Sequence, residues 1–214
     1  MINRLHYISQ QPEQGTHLTA IKAALDAGAK WIQLRVKFEP KETIFKYALS
    51  ALAVCNEYGA KLIVNDHPEI ALEAGAHGLH LGLEDMPVEK ARSLVGTKMI
   101  IGGTANTFTH IEQRVAEGAD YIGLGPYRFT KTKQKLSPIL GLEGYAEIIS
   151  KVNQKGIKTP IIAIGGIEPQ DIMGIMKLGL YGVAVSGAIT HAANPAATIA
   201  QMYEYVNHTA LKEA

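Results

Sequence analysis

One phrase recurs along this chain of 214 residues: a turn containing glycine, one or two polar residues, then a brief β-prone apolar run that ends in more glycine or polar residues. The runs are Leu5 to Ser9, Trp31 to Leu34, Leu62 to Val64, Gly78 to Leu81, Met99 to Ile101, Tyr121 to Leu124, Ile161 to Ile164 and Val183 to Val185. Each is too short for a helix and is bounded by breakers, as expected of strands covered on both faces of a parallel sheet. Between the runs lie segments with helical spacing, such as Leu18, Ile21, Ala24 and Leu25 ahead of Gly28, and Asn194-Pro195 reads as the opening of a last helix. Glycines such as Gly75 and Gly118 fall where a helix ends and the next run begins, the place of a left-handed C-cap. Strict alternation of strand and helix leads to a parallel sheet. Eight such units in 214 residues fit a single (β/α)8 TIM barrel spanning 1–214, near the lower size limit of that fold. A doubly wound open sheet is the runner-up, but the turn after the first run, Tyr7-Ile8-Ser9-Gln10-Gln11, has none of the glycines that a dinucleotide site needs there.

Composition narrows the function. With 21 Lys and Arg against 20 Asp and Glu, the net charge of +1 supplies no overall field to recruit nucleic acid or an anionic membrane. No stretch approaches the roughly 18 apolar residues of a membrane span, and Met1 to Gln10 holds no signal-like apolar run, so the expectation is a soluble, cytoplasmic protein. The single cysteine, Cys55, excludes a disulfide framework within one chain and reads as a small core residue. Barrels of this size often dimerise, so a homodimer is the assembly entertained here, with small molecules as the other partners.

In a barrel the chemistry sits where the strands end. In Ile32 to Lys37, period-two alternation puts Gln33, Arg35 and Lys37 on one face and the apolar side chains on the other. Cations pointing inward need an anion or access to water. Asn65-Asp66 ends the third run, and Gly82-Leu83-Glu84-Asp85 follows the fourth. Either aspartate alone reads as a turn or cap residue, but two carboxylates close in barrel order can share a Mg²⁺ completed by water and substrate phosphates. The long gap after Leu124 opens with a basic, hydroxyl-rich stretch holding Thr130, Thr132 and Lys133, which is either a solvated loop or a set of phosphate donors that closes over substrate. Gly165-Gly166 and Ser186-Gly187 follow the last two runs, where barrels commonly hold phosphate through backbone N–H groups. His80, inside an apolar run, reads as a hydrogen-bonded wall residue rather than a metal ligand. No nucleophile elbow is present.

Taken in order, Gln33-Leu34-Arg35-Val36-Lys37, Asn65-Asp66, His80-Leu81-Gly82 with Asp85, Gly123-Leu124-Gly125-Pro126, Thr130-Lys131-Thr132-Lys133, Gly141-Leu142-Glu143-Gly144 and Ala163-Ile164-Gly165-Gly166-Ile167 resemble the thiamine phosphate synthase family over nearly the whole chain. That resemblance implies Mg²⁺-dependent transfer of 4-amino-2-methyl-5-pyrimidinylmethyl from its diphosphate to the ring nitrogen of hydroxyethylthiazole phosphate, with release of pyrophosphate. It implies that Gln33, Arg35, Lys37, Asn65, Thr104 and Lys133 hold the pyrimidine diphosphate and that Asp66 and Asp85 bind the metal. Thr130, Thr132, Gly166, Ser186 and Gly187 would hold the thiazole phosphate. Arg35, Lys37 and Lys133 would neutralise the departing diphosphate, a dissociative route that needs no covalent nucleophile. The chain departs from the family pattern at Leu83, commonly Gln, at Thr104, usually Ser, and at Asn106, usually His. Ser186-Gly187 also stands where the family often has an apolar residue followed by Ser. Two alternatives stand beside the synthase. One is a thiazole tautomerase of the same barrel, which resembles an enzyme relying on a histidine at the position of Asn106. The other is a non-catalytic barrel that binds a phosphorylated metabolite.

Overall fold

The computed structural model of the chain describes residues 1–129 and 138–208. Its elements alternate without exception through the first eight strands: β1 Leu5–Ile8, α1 His17–Asp26, β2 Trp31–Leu34, α2 Lys41–Glu57, β3 Lys61–Asn65, α3 Pro68–Ala74, β4 Gly78–Leu81, α4 Val88–Val95, β5 Ile100–Ala105, α5 Phe108–Ala116, β6 Tyr121–Leu124, α6 Gly141–Gln154, β7 Ile161–Ile164, α7 Pro169–Lys177 and β8 Gly182–Val185. A short α8, Gly187–Thr190, and a terminal α9, Pro195–His208, follow. The strands pair in parallel in sequence order and β8 closes on β1, giving the closed eight-stranded barrel expected from the alternation.

The register explains why the runs are so short. Alternate residues face out and pack under the helices, among them Leu62 and Val64 of β3, Leu79 and Leu81 of β4, and Ile122 and Leu124 of β6. The residues between them face the lumen, where Trp31, Ile63, Tyr121, Ile162 and Ala184 form a separate inner cluster. A strand needs only two outward and two inward side chains to seat both layers. Helix ends follow the chemistry read from the sequence: Gly75, at φ 71°, caps α3 in the left-handed region. At the start of α9, Asn194 Oδ1 accepts the Ala197 N–H at 3.1 Å.

One strand differs from expectation. β5 runs to Ala105 and takes in Gly102 and Gly103, where the sequence showed only Met99 to Ile101. Glycine weakens the strand signal, but here it is required by volume. A Cβ on Gly102 would lie 2.1 Å from Cζ of Tyr121, and one on Gly103 would lie 2.8 Å from Cδ of Arg114.

The lumen also holds a histidine. His6, 1% exposed, stacks on Trp31 at 4.5 Å between ring centroids, and its Nε2 lies 2.8 Å from the Asn3 carbonyl. Burial pushes its pKa down to about 3, against the hydrogen bond to Asn3 and with the repulsion of His80. The folded protein therefore keeps His6 neutral while an unfolded chain protonates it near pH 6.5. Stability should be full above that pH and fall below it, by about 1.4 kcal/mol per pH unit from this residue until the folded pKa is reached. His6→Phe keeps a stacked ring and removes the titration. Urea unfolding between pH 4.5 and 6.5 should show a shallower fall for the variant than for the parent, and equal slopes would disprove the assignment.

Candidate active site

The C-terminal ends of the strands surround a cavity of about 710 Å³. Gln33 lies inward on β2 at 4% exposure, and Arg35 and Lys37 continue past the strand end along the same cavity wall. The face read from alternation is thus the cavity face, although β2 itself stops at Leu34. Arg35 is fixed through its backbone, since its N–H donates to Ser9 Oγ at 3.0 Å, and Ser9 Oγ lies 3.0 Å from His17 Nδ1. Asn65 ends β3 and Asp66 follows at φ 69°, a left-handed conformation uncommon for a side chain with a Cβ. The Asp66 N–H donates to the His80 carbonyl at 2.9 Å and holds that turn against β4.

The turn delivers Asp66 to Asp85. The two carboxyl groups are hydrogen-bonded to each other, Lys37 Nζ pairs with Asp66, and Asp85 Oδ2 accepts the Gly82 N–H at 2.6 Å. Burial, then the hydrogen bond and charge of Asp66, push Asp85 up to about 6. Burial works to raise Asp66 as well, but the hydrogen bond from Asp85 and the Lys37 ammonium overcome it and hold Asp66 below the ordinary carboxylate range. Two neighbouring carboxyls whose charges oppose each other at a polar cavity wall are a donor set that a divalent cation relieves. Among the described residues no cluster of three or more His, Cys, Asp or Glu side chains is placed to hold a metal, so any ion here would take the rest of its shell from water or substrate oxygen.

Across the cavity Gly165 and Gly166 follow β7, and Ser186 and Gly187 follow β8. The first N–H groups of α8 have no acceptor within the helix. Ser186 Oγ donates to Gln10 Oε1 at 3.1 Å, so its side chain is tied to the β1 loop. Thr104 lies inward on β5 at 5% exposure. Thr130, Thr132 and Lys133 lie outside the described residues.

A family profile described as thiamine monophosphate synthase matches residues 5–189. The chain belongs to the thiamine monophosphate synthase family. Relatives named thiamine-phosphate synthase include one from Flavobacterium psychrophilum, 48% identical over 202 residues that cover 94% of this chain and 98% of the relative. Another from Bacteroides fragilis is 47% identical over 191 residues, covering 89% of this chain and 94% of the relative. Among solved structures, a thiamine phosphate pyrophosphorylase from Pyrococcus furiosus superposes with a TM-score of 0.82 at 29% identity, with 96% of each chain covered.

This member of the thiamine monophosphate synthase family also has a supporting shell that the sequence did not reveal. Arg114 on α5 is 2% exposed and donates from Nη2 to the Gly82 carbonyl at 2.8 Å and from Nε to the Thr104 carbonyl at 3.3 Å. Its Nη1 pairs with Glu117 at 2.7 Å, and Glu117 also accepts the Val88 N–H at 3.1 Å. One buried guanidinium thus ties α5, the loop that carries Asp85, and the strand that carries Thr104. The only clue in the sequence was its place, three residues after Ile111 on the buried face of α5. A second arginine, Arg128, donates to the Gly166 carbonyl at 3.0 Å and to Asp171 at 2.7 Å. A Cβ on Gly166 would lie 2.5 Å from Cγ of Arg128, which makes glycine necessary there. Asn106 is equally committed: its Nδ2 donates to the Ala105 carbonyl at 3.2 Å and to the Gly125 carbonyl, bracing the turn at the cis Gly125-Pro126 bond. Glu117→Gln leaves the Arg114 charge buried without a counter-ion and should destabilise the protein by about 3 kcal/mol. A urea midpoint unchanged from the parent would show that the carbonyl partners alone suffice.

Proposed function

We propose that this chain is a thiamine phosphate synthase that joins 4-amino-2-methyl-5-pyrimidinylmethyl diphosphate to hydroxyethylthiazole phosphate, both soluble small molecules, in a Mg²⁺-dependent reaction of the cytoplasm. The observation that carries the reading is the grouping of Asp66, Asp85, Lys37 and Arg35 on one wall of the cavity. Carboxylates alone would repel a diphosphate and cations alone would need no carboxylates. The mixture suits a diphosphate that arrives with a dication. Asp66 and Asp85 would hold Mg²⁺, which supplies charge neutralisation to the leaving diphosphate.

Arg35 and Lys37 bind diphosphate oxygens, with Lys133 as a third cation, and take up the charge that builds on the leaving group. Asn65 orients the diphosphate at the end of β3. Gln33 and Thr104 line the buried part of the cavity and hold the aminopyrimidine ring with its methylene carbon toward the diphosphate. Loss of diphosphate leaves a cation delocalised over that electron-rich ring, so no protein nucleophile is required. Thr130, Thr132, Gly166, Ser186 and Gly187 hold the phosphate of the second substrate and set its ring nitrogen in line with the methylene carbon. Because the Ser186 hydroxyl is engaged by Gln10, backbone N–H donors carry that side of the site. Asn106 spends its amide on backbone carbonyls and has no acid–base function near neutral pH, which counts against the tautomerase reading.

Mixing the protein with both substrates and Mg²⁺ should yield thiamine phosphate, read by fluorescence after oxidation, and excess EDTA should abolish the product. Lys133→Ala should lower turnover by about tenfold or more, and Asp85→Asn by at least about as much. Folded protein that gives no product with Mg²⁺ would overturn the reading.

A further inference from the structure

At the β7 end the cavity is bounded by the turn Gly165-Gly166, whose φ angles of 96° and 68° lie in the left-handed region. Two glycines in succession leave the peptide planes of a turn free to rotate, so something else must set their direction. Here three carbonyls in a row are taken by one neighbouring segment. The Ile164 carbonyl accepts the Tyr127 N–H at 2.9 Å, the Gly165 carbonyl accepts the Arg128 N–H at 3.0 Å, and the Gly166 carbonyl accepts from Arg128 Nη1 at 3.0 Å. A Cβ on Gly165 would lie 2.7 Å from the Cβ of Pro126, so the turn packs directly on the segment that follows β6.

That segment is itself fixed. Tyr127 stacks on Tyr145 of α6 at 5.8 Å between ring centroids, and the Tyr145 hydroxyl donates to the Leu124 carbonyl at 2.9 Å. The Pro126 and Tyr127 carbonyls accept the N–H groups of Leu140 and Gly141 at 2.9 and 3.0 Å. The guanidinium of Arg128 is held on its other nitrogen, because Nη2 donates to Asp171 Oδ1 at 2.7 Å and Asp171 Oδ2 accepts the Glu168 N–H at 2.8 Å at the start of α7. One planar fork thus joins the Gly166 carbonyl to a carboxylate that a helix end keeps in place. In a trans peptide the N–H and the C=O point opposite ways, so a Gly166 carbonyl drawn to Arg128 turns the Ile167 N–H away from it. Ile167, like Gly166, lines the cavity. With that peptide reversed, an anion at this end would meet a carbonyl in place of a donor.

We infer that Arg128, oriented by Asp171, is a positioning residue that locks the Gly166–Ile167 peptide with its N–H toward the cavity and so prepares this end of the site for a phosphate group. Asp171 balances the charge of Arg128, so the contribution of the arginine is the direction of a backbone donor and not a free cation. The groups proposed for this phosphate on the described turns, Gly166, Ser186 and Gly187, are uncharged, which makes the direction of each N–H decide how well they hold an anion. The identity of the ligand rests on the proposed function, in which the anion is the phosphate of the second substrate. The clamp itself does not depend on which alcohol carries that phosphate.

The test uses inorganic phosphate and the full chain, and it needs no turnover. Phosphate is titrated in after Mg²⁺ and pyrophosphate have saturated the wall of Arg35, Lys37, Asp66 and Asp85, so that it reports the β7 end. In the ¹⁵N-labelled parent the Ile167 amide proton should move downfield as phosphate binds. Arg128→Lys keeps the charge, but a single ammonium cannot replace the planar fork. The variant should bind phosphate at least about tenfold more weakly and lose the Ile167 response, while its affinity for pyrophosphate with Mg²⁺ stays within about twofold of the parent and shows that it is folded. An Arg128→Lys protein with the parent's phosphate affinity overturns the inference, because charge alone would then suffice. An Ile167 amide that does not respond in the parent overturns it without any variant. A chain that behaves as expected in these titrations but makes no thiamine phosphate counts against the proposed function alone.

Discussion

Closing eight strands on themselves gives every inward side chain a share of one fixed lumen, and most of this structure follows from how that volume is divided. Trp31, Tyr121, His6 and His80 are large for the interior of a small barrel. They fit because neighbouring strands give up side chains opposite them. Gly102 and Gly123 leave space for rings, and a Cβ on Gly78 would lie 2.6 Å from Cδ1 of Ile63. A Cβ on Gly182 would lie 2.2 Å from the Arg4 carbonyl, where neither partner is a flexible side-chain end that could move aside. These glycines sit inside strands, where propensity disfavours them, because a close-packed interior leaves no alternative. Rings that fill the lower lumen leave the upper part open as the cavity.

The same division places the charges. Polar groups in the lumen are hydrogen-bonded to one another, as from Tyr121 through His80 to Thr104, whereas Arg35, Lys37, Asp66 and Asp85 stand at the mouth where water or a ligand can reach them. The exception is Arg114, a charge buried outside the barrel wall, which carries its own counter-ion in Glu117 and spends its remaining donors on two backbone carbonyls. A buried ion pair is weak evidence for stability in itself. Here its partners are the carbonyls of Gly82 and Thr104, so the pair links the loop that carries Asp85 to the strand that carries Thr104. The left-handed Asp66 is restrained in the same way, by its N–H on the His80 carbonyl and its carboxylate on Lys37.

The fold was legible because outward-facing alternation is a local signal. Trp31–Leu34, Gly78–Leu81, Tyr121–Leu124 and Ile161–Ile164 can be read from their own residues, and so can the cavity-facing trio of Gln33, Arg35 and Lys37. What stayed hidden depends on register between strands far apart in sequence. Nothing near Gly102 announces that Tyr121 will need its space, and a one-residue shift in pairing would turn either residue to the other face. For that reason the local strand signal stops at Ile101, while β5 itself continues to Ala105. The tasks of Arg114 and Arg128 carry almost no local signal, since their partners at Gly82 and Gly166 are backbone carbonyls, which every sequence position carries. Asp66 and Asp85 were visible as a pair, but their shared hydrogen bond comes from a left-handed turn that Asn65-Asp66 does not signal by itself.

The departures from the family pattern can be judged by what each side chain touches. Thr104 supplies the hydroxyl that His80 meets at 3.1 Å, and a serine would supply the same hydroxyl. Ser186 is bound to Gln10, so exchange of side chains at that position leaves the neighbouring backbone N–H groups in place. Asn106 belongs to the scaffold, bracing the carbonyls of Ala105 and Gly125 behind the cavity wall. A histidine there would have to give up that brace to serve as an acid or base, since its ring cannot donate two N–H groups while neutral. Leu83 is different in kind. It lines the cavity beside Glu84 and Asp85 with no polar atom to offer, so water or substrate must meet whatever a glutamine would have met at that rim. Of the departures, it is the one that changes the chemistry of the cavity surface itself.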